Sequence, residues 1–502
     1  MAGRQCLKRV YLEVNHPKLA APPDDARQAI FDLGHLVGRY AQDCFPGGKL
    51  VNVDRSEPLE ALRQTEALMR RPTVHAIFEG AFRFDDILVR ADIVERQPDG
   101  TWHLIECKSS TKVKPEHHWD VAVQDYVLNG FLKEMDSSVS RSWLMHVNPT
   151  HVQRGPVLDV REFMVSIDVT AEVEPCRRQM TSELKMMKRC ILAPTPPAVE
   201  PDVHCHEPYG CPFWAHCTQQ KPARWIGYLP DGDRQVPKLV ARGVGSIDDI
   251  PEEFPLSNIQ QYAKLNAEWM DPGIAATLQQ LQYPLHHVHI EAGLYGIPLH
   301  LGMRPYEPFP FQWTNCIQAE TGEVRVDEEV YLGQYDSRVA FVESLLRSLG
   351  GEGSLVVYSD FVPREIEALA QKLPLYRDAL RALRARVVDL RHLIRKGYYH
   401  PKLSPAAYQS DCFPDAFSIQ AFIPALSAPE RYPLLVTVDA GWSFRQYHKA
   451  IAPTAQRSDI ESVRSEVLAR SRQAVQALSD IRQYLNARAQ RLAEGRARSE
   501  VA

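Results

Sequence analysis

Residues 87–108 read ILVRADIVERQPDGTWHLIECK. Two runs rich in β-branched and aromatic residues, ILVRADIVER and TWHLIECK, flank Pro98-Asp99-Gly100, a turn signal, so the stretch is expected to fold as a β-hairpin. Pairing centred on Asp99 sets opposite each other residues equally distant from it. Asp92 and Glu106 are such a pair, since 99 − 92 and 106 − 99 are both 7. Directly opposed side chains on one face have Cβ atoms about 5 Å apart. Two carboxylates at that spacing repel unless a divalent cation lies between them. Lys108 follows Glu106 by two positions, and strand side chains alternate, so its amine shares the face. A register slip of one residue would turn one carboxylate to the other side of the sheet.

Two carboxylates and a lysine are the groups that metal-assisted phosphodiester hydrolysis uses. The cation activates water and offsets phosphate charge, while the amine stabilises the transition state. The helix expected from Pro115 carries Gln124 and Tyr126, candidates for contacting a phosphate or orienting the lysine. Glu79, on the preceding strand run VHAIFEGAF, is a candidate further metal ligand. The alternative is an edge-strand ion pair without chemistry.

Outward from the hairpin, the chain has 502 residues, enough for about three domains. Its hydrophobic content of 44% and charged content of 24% are those of a globular protein. A net charge of −5 excludes coating nucleic acid by bulk charge, so any such contact needs a local basic groove. No membrane span or secretory signal is read, and a cytoplasmic location is expected. In a reducing compartment the ten cysteines favour metal ligation over disulfides.

Residues 1–15 read as a short strand or arm, and the run from Asp25 to Phe45 as a helix. A strand-rich block, a helix from Pro115 and two further strands lead to a basic helix around SELKMMKRCI. The proline-rich run APTPPAVEPDV then delivers HCHEPYGCPFWAHC, in which Cys205, Cys211 and Cys217 are separated by five residues each. Three such thiols need a fourth ligand, and His204, His206 and the remote Cys6 are the candidates. Zinc and a [4Fe–4S] cluster both accept four thiolates.

Together, the early cysteine before basic residues, the Asp92…Glu106-x-Lys108 core, the Gln124-x-Tyr126 helix and the three late cysteines resemble the RecB-like PD-(D/E)xK iron–sulfur nucleases. That group includes CRISPR-associated exonucleases. The resemblance implies Asp92 and Glu106 as Mg²⁺ or Mn²⁺ ligands, Lys108 as catalytic, and Gln124 and Tyr126 in support. It also implies a [4Fe–4S] cluster on Cys6, Cys205, Cys211 and Cys217 that staples a restriction-endonuclease-like domain closed, zinc being the alternative. His35 is read as a helix-surface residue, not a ligand.

The second half, with RPYEPFPFQW, VVYSDF and YYHP, resembles an uncharacterised bacterial family whose C-terminal half is DnaQ-type and RNase H-like. A DnaQ-type site opens with D-x-E on its first strand, and here that strand offers His289-Ile290-Glu291. Val362 stands where the family has a further acid, Asp360 is out of register, and Asp389 and Asp439 remain as late acids. The resemblance therefore implies a degenerate exonuclease fold. A different metal site built from His286, His287 and His289 is the lesser alternative. Arg304, Tyr306, Phe309, Phe311 and Trp313 suit base stacking, although such residues are more often core and turn residues, and Phe311 and Trp313 are read as core.

The expected α/β organisation is a nuclease domain at 1–222, a helical connector at 223–282, an RNase H-like domain at 283–455 and an amphipathic helix at 456–502. In that helix Ile460, Val467, Ala474, Leu478, Ile481, Leu485 and Leu492 form a heptad-like seam interrupted by Ser471 and Arg488. It is read as lying on its own protein, with dimerisation the sharper option. The expected function is a DNA-cleaving nuclease, with DNA preferred over RNA and protein partners in DNA processing or defence. The rival is a non-catalytic nucleic-acid-binding scaffold, and an iron–sulfur redox sensor is a third reading.

Overall fold

The computed structural model describes residues 1–23, 25–333, 335–403, 419, 422, 429–436, 442–452 and 454–501. The chain is mixed α/β and divides into two compact units. The first is Met1–Glu200, Glu207–Cys217 and Leu294–Glu307; the second is Pro201–His206, Thr218–Gly293 and Pro308–Ala502. The second unit thus takes up the expected connector, while Leu294–Glu307 and Pro201–His206 each group with the unit other than the one expected. No described helix is long and apolar enough to cross a membrane.

After a single helical turn at Ala2–Gln5, the first unit continues with α1 (Leu7–Asn15), where an arm or strand was expected. Leu7, Val10, Tyr11 and Val14 follow helical spacing, and Tyr11 and Leu12 are buried beside Phe213. Next come α2 (Asp25–Asp43), β1 (Lys49–Leu50), α3 (Pro58–Met69), β2 (Ala76–Phe84), β3 (Ile87–Arg96) and β4 (Trp102–Lys108). After these come α4 (Pro115–Leu132), β5 (Val139–Val147), β6 (Met164–Asp168) and α5 (Thr170–Ile191). The strands form one sheet in sequence order, with β1–β2 and β4–β5 parallel and the other pairs antiparallel.

Alternation along the strands gives the sheet two buried faces. Ile77, Val94, Leu104 and Leu144 pack with Val121 and Leu128 of α4 and Val173 of α5. Phe78, Ile93, Ile105 and Met145 pack with Val37 and Ala41 of α2. Asp92, Glu106 and Lys108 share the parity of Val94 and Leu104, so they lie toward α4. Helix α4 approaches closely because Gly130 sits over Phe84: a Cβ there would fall 2.1 Å from the ring. Gly130→Ala is therefore expected to destabilise the protein by about 1–3 kcal/mol despite the better helix propensity of alanine. A melting temperature equal to or above the wild-type value would contradict that close packing.

The second unit is built on a five-stranded sheet. Its strands are β7 (Leu285–Leu294), β8 (Pro308–Gln318), β9 (Val324–Val330), β10 (Leu355–Val357) and β11 (Val387–Asp389), in the order β9-β8-β7-β10-β11. β10 runs parallel to both β7 and β11. Its helices include α6 (Arg338–Leu349), α7 (Phe361–Lys372), α8 (Arg377–Ala385), α9 (Leu390–Gly397) and α10 (Arg457–Val501). Val288, Ile290 and Trp313 pack against Phe341 and Ile366, and Phe311 is fully buried, so both aromatics are core as read from the sequence. The seam residues Ala474, Leu478, Ile481 and Leu485 of α10 are buried in the chain's own core with Trp269, Leu390 and Tyr398.

Candidate active site

The β3–β4 hairpin closes at Gln97–Thr101, where the Gln97 amide donates to the Thr101 carbonyl (2.8 Å). Its ladder pairs Ile93 with Ile105 and Val94 with Leu104. The same register carried one step sets Asp92 opposite Glu106. Across β2–β3, Phe78 pairs with Ile93 and Gly80 with Ala91, which places Glu79 at the level of Asp92 on its other side. Glu79 breaks the ladder there, in the left-handed region at φ 54°, an uncommon conformation for a side-chain-bearing residue. Three carboxylates therefore span three adjacent strands at one level.

Their electrostatics show crowding. Burial pushes the Asp92 carboxyl well above the usual range, and the Glu106 and Glu79 carboxylates push it further. The Cys107 amide opposes this by donating to Asp92 Oδ2 (2.7 Å). Glu79 is raised by burial too, with Arg55, Arg90 and His35 pulling the other way. Lys108 Nζ donates to Glu106 Oε1 and to Asp120 Oδ2, both at 2.8 Å. Burial works against its charge, but the two carboxylates hold the ammonium firmly protonated. Helix α4 adds Gln124, whose Nε2 donates to Glu106 Oε2 (2.6 Å). Its Oε1 is buried with no partner among the described residues.

Asp120 was not among the residues read from the sequence. It lies one helical turn before Gln124, a four-residue spacing that puts both on one face. Its neighbour His117 is held down to about 4 by burial and by Lys108, so its imidazole is neutral. Tyr126 is not brought to the site: its hydroxyl donates to Asp85 Oδ2 (3.1 Å), because two residues turn a helix by about 200°. His35 is exposed on α2, as expected, yet close enough to lower Glu79.

Among the described residues no three histidine, cysteine or carboxylate side chains are gathered into a ready-made cage. The Asp92–Glu106 pair is instead an all-oxygen, two-carboxylate seat beside an orphaned acceptor. That donor set suits Mg²⁺ or Mn²⁺, since Mg²⁺ is usually held by one or two carboxylates plus water and substrate phosphate. Such a cation needs the deprotonated carboxylate. In the metal-free protein a raised Asp92 has the opposite dependence: its stabilising contribution is full below the unfolded value of about 4 and is lost as pH rises through the folded one. Mn²⁺ is therefore expected to raise the melting temperature more at about pH 7.5 than at about pH 5. Equal shifts at both, persisting in Asp92→Asn, would exclude this carboxyl as a ligand.

The thiols are placed as follows. Cys6 is the N-cap residue of α1, and Cys211 and Cys217 pack with Cys190 around Tyr11, Leu12 and Phe213. Burial raises the Cys211 thiol, and Cys217 and Cys6 are near enough to raise it further. Cys190 was not singled out in the sequence; its Sγ donates to the Leu7 carbonyl (3.3 Å). Cys205 is buried on the Pro201–His206 segment of the second unit, with His204 Nε2 3.6 Å from its Sγ. None of the described cysteines forms a disulfide.

In the second unit, His289 Nε2 lies 3.0 Å from Glu291 Oε1. The Arg470 guanidinium donates to the same oxygen (2.9 Å). His286 bonds Asn315 Nδ2 (3.1 Å) and His287 accepts from Arg482 Nε (3.1 Å), so the three histidines do not converge on one point. Asp389 caps α9, accepting from the Arg391 and His392 amides. Val362 is buried and Asp360 pairs with Arg364 (3.2 Å). Asp439 lies outside the described residues.

A family model described as a domain of unknown function (DUF2779) matches residues 286–406. No curated protein and no solved structure matches the chain.

Proposed function

We propose that the first unit is a divalent-metal-dependent nuclease of the PD-(D/E)xK type acting on DNA strands or ends. The observation that carries the reading is the row Glu79–Asp92–Glu106 on three neighbouring strands with the Lys108 ammonium at its end. Three carboxylates crowded at one level of a sheet raise each other's charging free energy, and a divalent cation beside them would offset that cost.

When bound, Mg²⁺ or Mn²⁺ would lie on Asp92 and Glu106, with Glu79 available as a third ligand, and supply water activation and charge neutralisation. The chain's own groups do the rest. Asp120 and Glu106 tether Lys108 so that its ammonium offsets charge developing on a phosphate oxygen. Gln124 orients Glu106 through one amide atom and offers the other, Oε1, as a water acceptor. Cys6, Cys211 and Cys217 would supply three thiolates to a [4Fe–4S] cluster; zinc fits the same thiolates. A β-order of third, second, first, fourth and fifth supports reading the second unit as an RNase H-like exonuclease relic. There Glu291 retains a carboxylate that His289 and Arg470 have neutralised.

The test is cleavage of end-labelled single-stranded and duplex DNA by the full-length protein. Cleavage with Mn²⁺ that stops in EDTA is expected on at least one of them; intact DNA throughout would sink the reading.

A further inference from the structure

A cavity of about 360 Å³ opens beside the carboxyl-terminal half of β7 and the end of β10. Ligands in open α/β sheets bind where parallel strands end and the strand order reverses, and the volume is that of a small-molecule site. Glu291, Tyr358, Phe361, Arg391 and Arg470 are among its lining residues. In the wall the single carboxylate, Glu291, is matched by two guanidiniums. It is already bonded by His289 and Arg470, so a divalent cation would have to displace a buried arginine. The nearby carboxylates are engaged elsewhere, Asp389 in capping α9 and Asp360 with Arg364.

Two lining residues carry buried donors with no acceptor among the described residues: the Tyr358 hydroxyl and the Arg470 Nε. Both residues are 9% exposed. Buried donors are almost always satisfied, and an orphaned one calls for an ion or water. Two orphaned donors in one wall call for an acceptor. The amino-terminal turn of α7, a 12-residue helix, also contributes Phe361 and Val362 to the wall, and a helix start favours an anion. The rest is apolar, with Ile290 and Leu478 beside the aromatic rings.

We propose that this cavity binds a phosphate monoester carried on a nucleoside, without any divalent cation, the Arg470 guanidinium standing where a metal-dependent site would hold its metal. The phosphate comes from a free mononucleotide or from a phosphorylated strand end. Equilibrium dialysis of the full-length protein in EDTA, using labelled dAMP and a 5′-phosphorylated tetrathymidylate, tests this. Saturable binding of one or both is expected, and the tighter probe identifies the source. Inorganic phosphate should compete, while unphosphorylated deoxyadenosine should not. Tyr358→Phe, which removes only an unpaired hydroxyl, should weaken binding by about five-fold or more, and Glu291→Gln should not weaken it. Any strand bound in the first unit is unaffected by Tyr358→Phe and is thereby separated. The proposal is overturned by no saturable binding in EDTA, by binding that requires Mn²⁺ and is lost in Glu291→Gln, or by equal competition from deoxyadenosine. None of these outcomes bears on cleavage by the first unit.

Discussion

On the proposed reading, Glu106→Gln is expected to reduce Mn²⁺-dependent DNA cleavage by about 10³-fold or more, the size of effect expected when a group acting directly on transition-state charge is removed. The substitution keeps the side chain's shape and leaves Lys108 its bond to Asp120 (2.8 Å). It also removes one of the carboxylates that push Asp92 upward. Without metal the variant should therefore melt no lower than the wild type, which separates a catalytic loss from unfolding. Lys108→Gln should be comparably inactive but less stable, because Glu106 and Asp120 then lose their shared cation. Equal cleavage by wild type and both variants would end the enzyme reading at this site.

The second large effect concerns the thiols. Cys211→Ser should bleach the visible thiolate-to-iron absorbance and lower the melting temperature by roughly 10 °C. The apolar contact between α1 and residues 211–217 is small: among the described residues its buried members are Tyr11, Leu12 and Phe213. Beside it the Ala21 amide donates to the Pro212 carbonyl and Arg27 to the Gly210 carbonyl, both at 2.9 Å, and ligation would add to these contacts. A colourless wild-type protein with stoichiometric zinc, lost in Cys211→Ser, would keep the staple and change the metal. Wild-type protein with neither metal would remove the staple altogether.

How much of this was legible in the sequence varies with the distance over which the cause acts. The Asp92–Glu106 register could be counted because a single turn at Pro98-Asp99-Gly100 fixes it, and the ladder from Ile93–Ile105 to Arg96–Trp102 follows that count. Gln124 was found, but Tyr126 was placed with it by reading a helical motif as though it were linear. Asp120, on the same face as Gln124, carried a readable spacing and was passed over. The α1 helix was missed because nine residues give a weak periodic signal, and its burial depends on Phe213, some two hundred positions away. The pairing of Arg470 with Glu291 spans 179 residues, and no local pattern announces it. The core roles of Phe311 and Trp313, set by alternation along one strand, were legible.

The direct measurement is a crystal structure of the protein soaked with Mn²⁺, using anomalous scattering to place the ion. One peak bonded to carboxylate oxygens of both Asp92 and Glu106, at about 2.1 Å, with Lys108 beside it, is the predicted result. Manganese bound elsewhere, or to only one of those two side chains with the other still held by Lys108 and Gln124, would contradict it.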